Sequence, residues 1–226
     1  MKTAAPWMLS LSLMVALAAC RQADTGASTA VAPAPSPASA SAPAGEAKPD
    51  ATVIAIATGN YRMDPPHTLV VAQWNHFGFS NPMANFGQVD GVIHYNAEDV
   101  TQSSVQATLP LAGLTGFTAA FDEHLRSADF FEAARFPSAT FKSTNVAAAG
   151  VNKLTVTGDL TIKDITRQVV LDVTVNGAGP HPSANKPAVG FDATTTLKRS
   201  DFGVGAYAPT VSDEVSLRIT TEAIAE

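Results

Sequence analysis

From Thr68 to the C-terminus apolar and polar residues alternate with a period of two, and few folds satisfy that pattern over so long a stretch. Leu154, Val156, Leu160 and Ile162 fall on one face of a strand, with Thr155, Thr157, Asp159 and Thr161 on the other. Val169, Leu171, Val173 and Val175 repeat the pattern against Asp172 and Thr174, and Lys163 to Arg167 reads as the hairpin connection. The spacing predicts strands near 68–76, 86–95, 103–109, 140–147, 153–162, 168–176, 188–198 and 213–223. Eight antiparallel strands suit a closed barrel, which leaves no sheet edge, although a sandwich gives nearly the same pattern. Such a barrel either fills with its own side chains or encloses one small ligand. All eleven phenylalanines lie between Phe77 and Phe202, against three tyrosines in the whole chain. Rings without hydroxyls suit an apolar interior that needs no hydrogen bonds. On composition alone, packed core and ligand cavity both remain open.

Residues 122–141 interrupt the alternation. Asp129 followed by Glu132 reads as a capping box that starts a short helix, and Pro137 ends it before a strand begins at Thr140-Phe141. Phe130, Phe131 and Phe136 give this segment more apolar bulk than a solvent-facing turn needs. So short a helix is unstable alone and must pack on something larger. The expectation is a lid or plug on the sheet.

His124 through Phe141 resembles the hallmark of the YceI-like family, periplasmic lipid-binding proteins with a lipocalin-like barrel. Glu132 stands for the family's second acid and Phe136 for its Tyr. Further pieces follow in order: Tyr61-x-x-Asp64-x-x-His67, His76, Gly158-Asp-Leu-Thr-Ile162 and Arg199-Ser-Asp-Phe-Gly203. The resemblance covers about 165 residues and implies an all-β, eight-stranded antiparallel lipocalin-like barrel with a short helical lid. It also implies a long apolar tunnel for polyisoprenoid chains, with His67 and His76 hydrogen-bonding near the barrel mouth. One departure stands out. Where the family carries a bulky aromatic and then a smaller β-branched residue, this chain has Ala72 and Trp74, so bulk has moved two residues along the strand.

The first residues read as a targeting segment, with Lys2 before an apolar run from Trp7 to Ala16 that is too short to span a bilayer. Leu17-Ala-Ala-Cys20 reads as a lipobox, and Cys20, the only cysteine, as the lipidated N-terminus of the mature protein. Arg21 after it favours the outer membrane in bacterial sorting. Residues 1–19 are therefore expected as a lipoprotein signal peptide, 20–52 as the lipidated Cys and a disordered Ala/Pro/Ser linker, and 53–226 as the barrel domain. The domain holds 11 Lys and Arg against 17 Asp and Glu, net −6. That balance argues against nucleic acid and against electrostatic docking on anionic lipid, leaving the acyl anchor as the membrane link.

Catalytic and metal readings find little support in the residue pattern. His67 and His76 are nine apart on an extended run and point to opposite faces, while His94 and His181 lack partners at ligand spacing. No metal or cofactor is expected. Ser200-Asp201 lacks a nucleophile elbow and reads as a strand end, where Phe202 packs inward and Gly203 permits a bend. Arg126 and Arg135 flank the aromatic lid, either to meet a polar head group or as solvated charges beside Asp129 and Glu132. The expected ligand contacts are His67, Trp74, His76, Arg126, Phe130, Phe131 and Phe141. The expected role is a lipid-anchored protein on the periplasmic face that binds or carries an isoprenoid or similar apolar lipid. The alternatives are an enzyme acting on a lipid or quinone in the same cavity, or an interaction module without ligand. The residues leave the oligomeric state open.

Overall fold

The computed structural model describes residues 52–226; the expected signal peptide, Cys20 and most of the linker lie outside them. The strands are β1 (Gly59–Met63), β2 (Leu69–Gln73), β3 (Met83–Phe86), β4 (Asp90–Tyr95), β5 (Ser104–Pro110), β6 (Leu114–Thr115), β7 (Ser138–Gly150), β8 (Lys153–Ile162), β9 (Ile165–Pro180), β10 (Pro187–Lys198) and β11 (Glu214–Ala225). Eleven strands make eight staves, because three staves are broken. β11 pairs with β1 near its end (Tyr61↔Ala225) and with β2 further back (Leu217↔Ala72), so β1 and β2 lie along one line. The break between them is the 3-10 turn Pro65–His67, where two prolines withhold ladder donors. β3 and β4 form the second broken stave and β5 and β6 the third, the latter interrupted by a 3-10 turn at Leu111–Gly113. Every neighbouring pair is antiparallel, and β1 to β11 closes the ring. The result is an eight-stave up-and-down barrel, as the alternation and the family resemblance together predict. The stretch β1 precedes the first expected strand but follows the same pattern, with Tyr61 and Met63 buried and Asn60 and Arg62 exposed.

Inside, the alternating residues meet. Val156, Leu160, Val169, Val173, Val175 and Phe191 are all buried, while Asp159, Asp172, Thr174 and Asp192 stand exposed on the outer face. Between β8 and β9 the chain turns in two residues, with Lys163 at φ 57. The motif Gly158-Asp159-Leu160 has a packing reason: a Cβ on Gly158 would lie 2.4 Å from Cζ of Phe141, so only glycine lets that ring lie across β8.

The helix sits elsewhere than the capping-box reading predicts. It is α1 (Ala119–Arg126), capped by Thr118, whose Oγ1 accepts from the Phe121 N–H. Asp129 to Glu132 form turns instead. The chain leaves the helix at Ser127, in extended geometry, and Glu132 takes a φ of 49. The following segment folds back: Phe131 N–H donates to Leu125 O and Ala133 N–H to Arg126 O, satisfying the end of α1. Two consecutive phenylalanines cannot share one helix face, and a turn lets both point to the barrel.

Candidate functional site

The barrel interior holds two cavities placed end to end. The larger, about 540 Å³, lies at the lid end and is walled by Val70, Ala72, Trp74, Phe86, Phe130 and Phe131 among others. The smaller, about 160 Å³, lies toward the opposite end, where Ile93, Phe141, Val156, Leu171 and Phe191 form much of its wall. Five residues border both: Val70, Leu109, Leu160, Leu197 and Leu217 form a collar between them. The larger space falls within the range of ordinary small-molecule sites. Its walls are overwhelmingly apolar, so the arrangement can enclose a hydrocarbon chain but offers few groups to orient a polar one. Two hydroxyls that border the smaller cavity satisfy each other, Thr68 Oγ1 and Thr221 Oγ1 lying 2.8 Å apart.

Each wall residue owes its place to local sequence. Val70, Ala72, Trp74 and His76 occupy alternate positions, and all four line the larger cavity, so the bulk of Trp74 does sit on the inward face. Trp74 meets Phe121 of α1 at 6.0 Å between ring centroids, and Phe131 meets Phe86 edge-on at 5.5 Å. Phe130 packs edge-on against His124 at 4.9 Å. These contacts hold the lid over the cavity. Phe141, buried in the wall, belongs to the smaller cavity.

Two expected contacts lie elsewhere. His67 is exposed on the 3-10 turn outside both cavities, with Nδ1 at 2.6 Å from Asp64 Oδ2. That hydrogen bond and charge raise its pKa from the ordinary histidine value. The proline break turns this residue out of the strand that carries His76. Arg126 also lies outside both cavity walls. Its Nε donates to Leu111 O at 3.0 Å and its Nη2 to the carbonyl of Leu114, so the guanidinium ties α1 to the turn between β5 and β6. Arg135 lies 3.7 Å from Glu132 and over the Phe136 ring.

Arg199, which opens the Arg199-Ser-Asp-Phe-Gly203 motif, is the main organiser of the loop between β10 and β11. It donates to the carbonyls of Val204, Ala206, Val211 and Ser212. Burial pushes its guanidinium below the usual arginine value, with the nearby Asp213 opposing. Phe202 is buried and Gly203 bends the chain at φ 65, as the motif predicts. Ser200 donates from Oγ to Asp213 Oδ2 at 2.6 Å, which holds that carboxyl below its ordinary range. The serine thus pairs with a carboxylate and not with a histidine. Among the described residues no three His, Cys, Asp or Glu converge on a metal position.

Comparison with known proteins agrees with this geometry. The family model described as the YceI-like domain matches residues 61–223. A UPF0312 protein of Photorhabdus laumondii is 34% identical over 169 residues, covering 74% of this chain and 87% of the relative. The crystal structure of Burkholderia cenocepacia BcnA superimposes with a TM-score of 0.64 at 28% identity, covering 71% of this chain and 98% of that one. A domain from Saccharophagus degradans, described as polyisoprenoid binding, shares the fold at a TM-score of 0.57 and 16% identity, covering 76% and 99%. With its closed eight-stave barrel and a family match over most of its length, the chain belongs to the YceI-like family.

Proposed function

We propose that this protein binds or carries a long apolar lipid of isoprenoid type inside the barrel, as a non-enzymatic protein held at the periplasmic face of the outer membrane by an acylated Cys20. The observation that carries the reading is the cavity of about 540 Å³ walled by Trp74, Phe86, Phe130 and Phe131 and continued past the leucine collar. Each enclosed methylene contributes roughly 0.8 kcal/mol, so about ten of them offset much of the cost of association and a longer chain adds to the surplus. The shared fold with a domain described as polyisoprenoid binding supports the choice of ligand class. No cofactor enters this mechanism. Ser200 donates to Asp213, a carboxylate held below its ordinary range and so a weak base, with no histidine between them, which supports binding over hydrolysis.

Native mass spectrometry of protein purified from its own host tests the reading. A bound mass that extracts into organic solvent and has the increments of a prenyl series is expected. An empty barrel, or one holding only polar molecules, overturns it. In the same host, Cys20→Ser is expected to move the protein from the membrane to the soluble fraction; retention after a salt wash would reject the acyl anchor alone.

A further inference from the structure

Not all the aromatic rings lie inside. Phe79 is 92% exposed, Phe117 66%, Tyr207 58% and Phe77 46%. All four stand at the lid end, on the β2–β3 hairpin, on the segment before α1 and on the β10–β11 loop. Phe77 and Tyr207 are both exposed and part of the larger cavity's lining, so the cavity reaches the surface between them. Tyr207 also packs near Phe130 of the lid, with centroids 6.2 Å apart. Three of the four sit in left-handed backbone, Phe77 at φ 56, Phe117 at φ 71 and Tyr207 at φ 65. Bulky residues adopt that conformation rarely and at a cost, and the three aromatic residues that adopt it among the described residues all meet water.

Charge separates these segments from the rest of the domain. Residues 74–82, 109–121 and 203–212 contain no Asp, Glu, Lys or Arg, although the domain carries 11 basic and 17 acidic residues. Charges do flank them, on the lid from Asp122 to Arg135, at Lys163-Asp164 and at Lys198 to Asp201. Several of these are engaged internally: Lys163 Nζ donates to Gly203 O at 2.8 Å, and Arg199 holds loop carbonyls. An uncharged aromatic crown on a net-negative domain is complementary to an electrically neutral lipid interface, where aromatic rings partition. The first described residues attach at the other end of the barrel. Asn152, in the β7–β8 turn, donates from Nδ2 to Thr52 O and accepts at Oδ1 from Ile54 N–H, so these residues join the domain at its base.

We infer that Phe77, Phe79, Phe117 and Tyr207 dock the barrel mouth on a zwitterionic lipid surface, so that an apolar chain passes between bilayer and cavity without crossing water. This rests on the lipid-carrying reading given above. The test uses the mature chain from residue 20 carrying Cys20→Ser, with Phe79→Cys as its sole thiol for an environment-sensitive fluorophore. With vesicles of phosphatidylcholine alone, the label's emission should shift to the blue and be quenched by brominated acyl chains, in low and high salt alike. The same label at Glu98→Cys, near the base, should stay in water. Phe117→Ser with Tyr207→Ser should weaken vesicle binding roughly tenfold or more, from the lost apolar burial, whereas Val170→Ser on the outer wall should leave it unchanged. The proposal is overturned if the residue-79 label stays in water at every lipid concentration, if the shift requires anionic lipid and vanishes in salt, or if the base label inserts instead. Native mass spectrometry of the same samples keeps the two readings apart. A chain-loaded protein that never docks rejects docking alone, and a docked protein that never loads a chain rejects the carrier.

Discussion

Phe141 and Trp74 both line the interior, yet their surroundings give them different tasks. Phe141 is 9% exposed and its ring lies across Gly158, so Phe141→Ala should leave a hole in a packed wall and cost about 3–5 kcal/mol. Trp74 is half-buried beside the open space of the larger cavity. Trp74→Ala should cost only about 1–2 kcal/mol while lengthening the preferred chain or weakening its binding. Urea denaturation and ligand masses measured on both variants separate the two effects. A strongly destabilised Trp74→Ala protein with unchanged lipid binding would make that face packed core. The inward placement of Trp74, His76 and Phe141 is legible in the sequence because strand alternation states which face a residue takes. His67, nine residues from His76, falls on the opposite face by the same alternation, and its expected ligand contact rests on the family resemblance alone. A sequence does not show where a guanidinium ends: the carbonyls that hold Arg126 belong to a turn 12 to 15 residues earlier.

At the scale of elements, the lid depends on that arginine. α1 has eight residues, too few to persist in water without tertiary support. Arg126→Ala should release the carbonyls of Leu111 and Leu114 and cost about 1.5–3 kcal/mol, as for other hydrogen bonds to charged groups. Amide hydrogen exchange should then quicken across residues 119–136 while β7 to β11 keep their protection. Arg126→Lys should restore only part of it, because a single ammonium cannot reproduce the fork. Equal exchange in all three proteins would show that the rings alone hold the lid. The existence of the lid is readable from its aromatic bulk, but its helix is not. The acids at 129 and 132 imitate a capping box, whereas the cap that forms is Thr118, well upstream of the paired phenylalanines that announce the lid. The long staves from β7 onward are legible for the opposite reason, since each runs for ten or more residues.

For the whole molecule, the contacts of Asn152 set the working boundary of the domain. A chain beginning at Ala51 should melt at the same temperature as the mature protein. One beginning at Asn60 loses the bonds of Asn152 to Thr52 and Ile54, together with buried Ile56, and should melt several degrees lower. Equal melting of the two would place residues 52–59 outside the folded unit; loss already at Ala51 would bring the Ala/Pro/Ser stretch into it. Closure itself cannot be read from alternation, which a sandwich shares; it depends on β1 meeting β11, and β1 lies before the first of the expected strands. Closure also has an arithmetic side. In a meander, each stave reverses direction, so an even number returns the chain to the end from which it set out. Glu226 accordingly donates its N–H to Asn60 O, and start and finish sit together. Anything joined to this barrel, before it or after it, is handed to the same pole, and the opposite pole is left to the loops. Length and composition at either end can therefore drift without reshaping the opening, and the opening can diversify without disturbing how the protein is held.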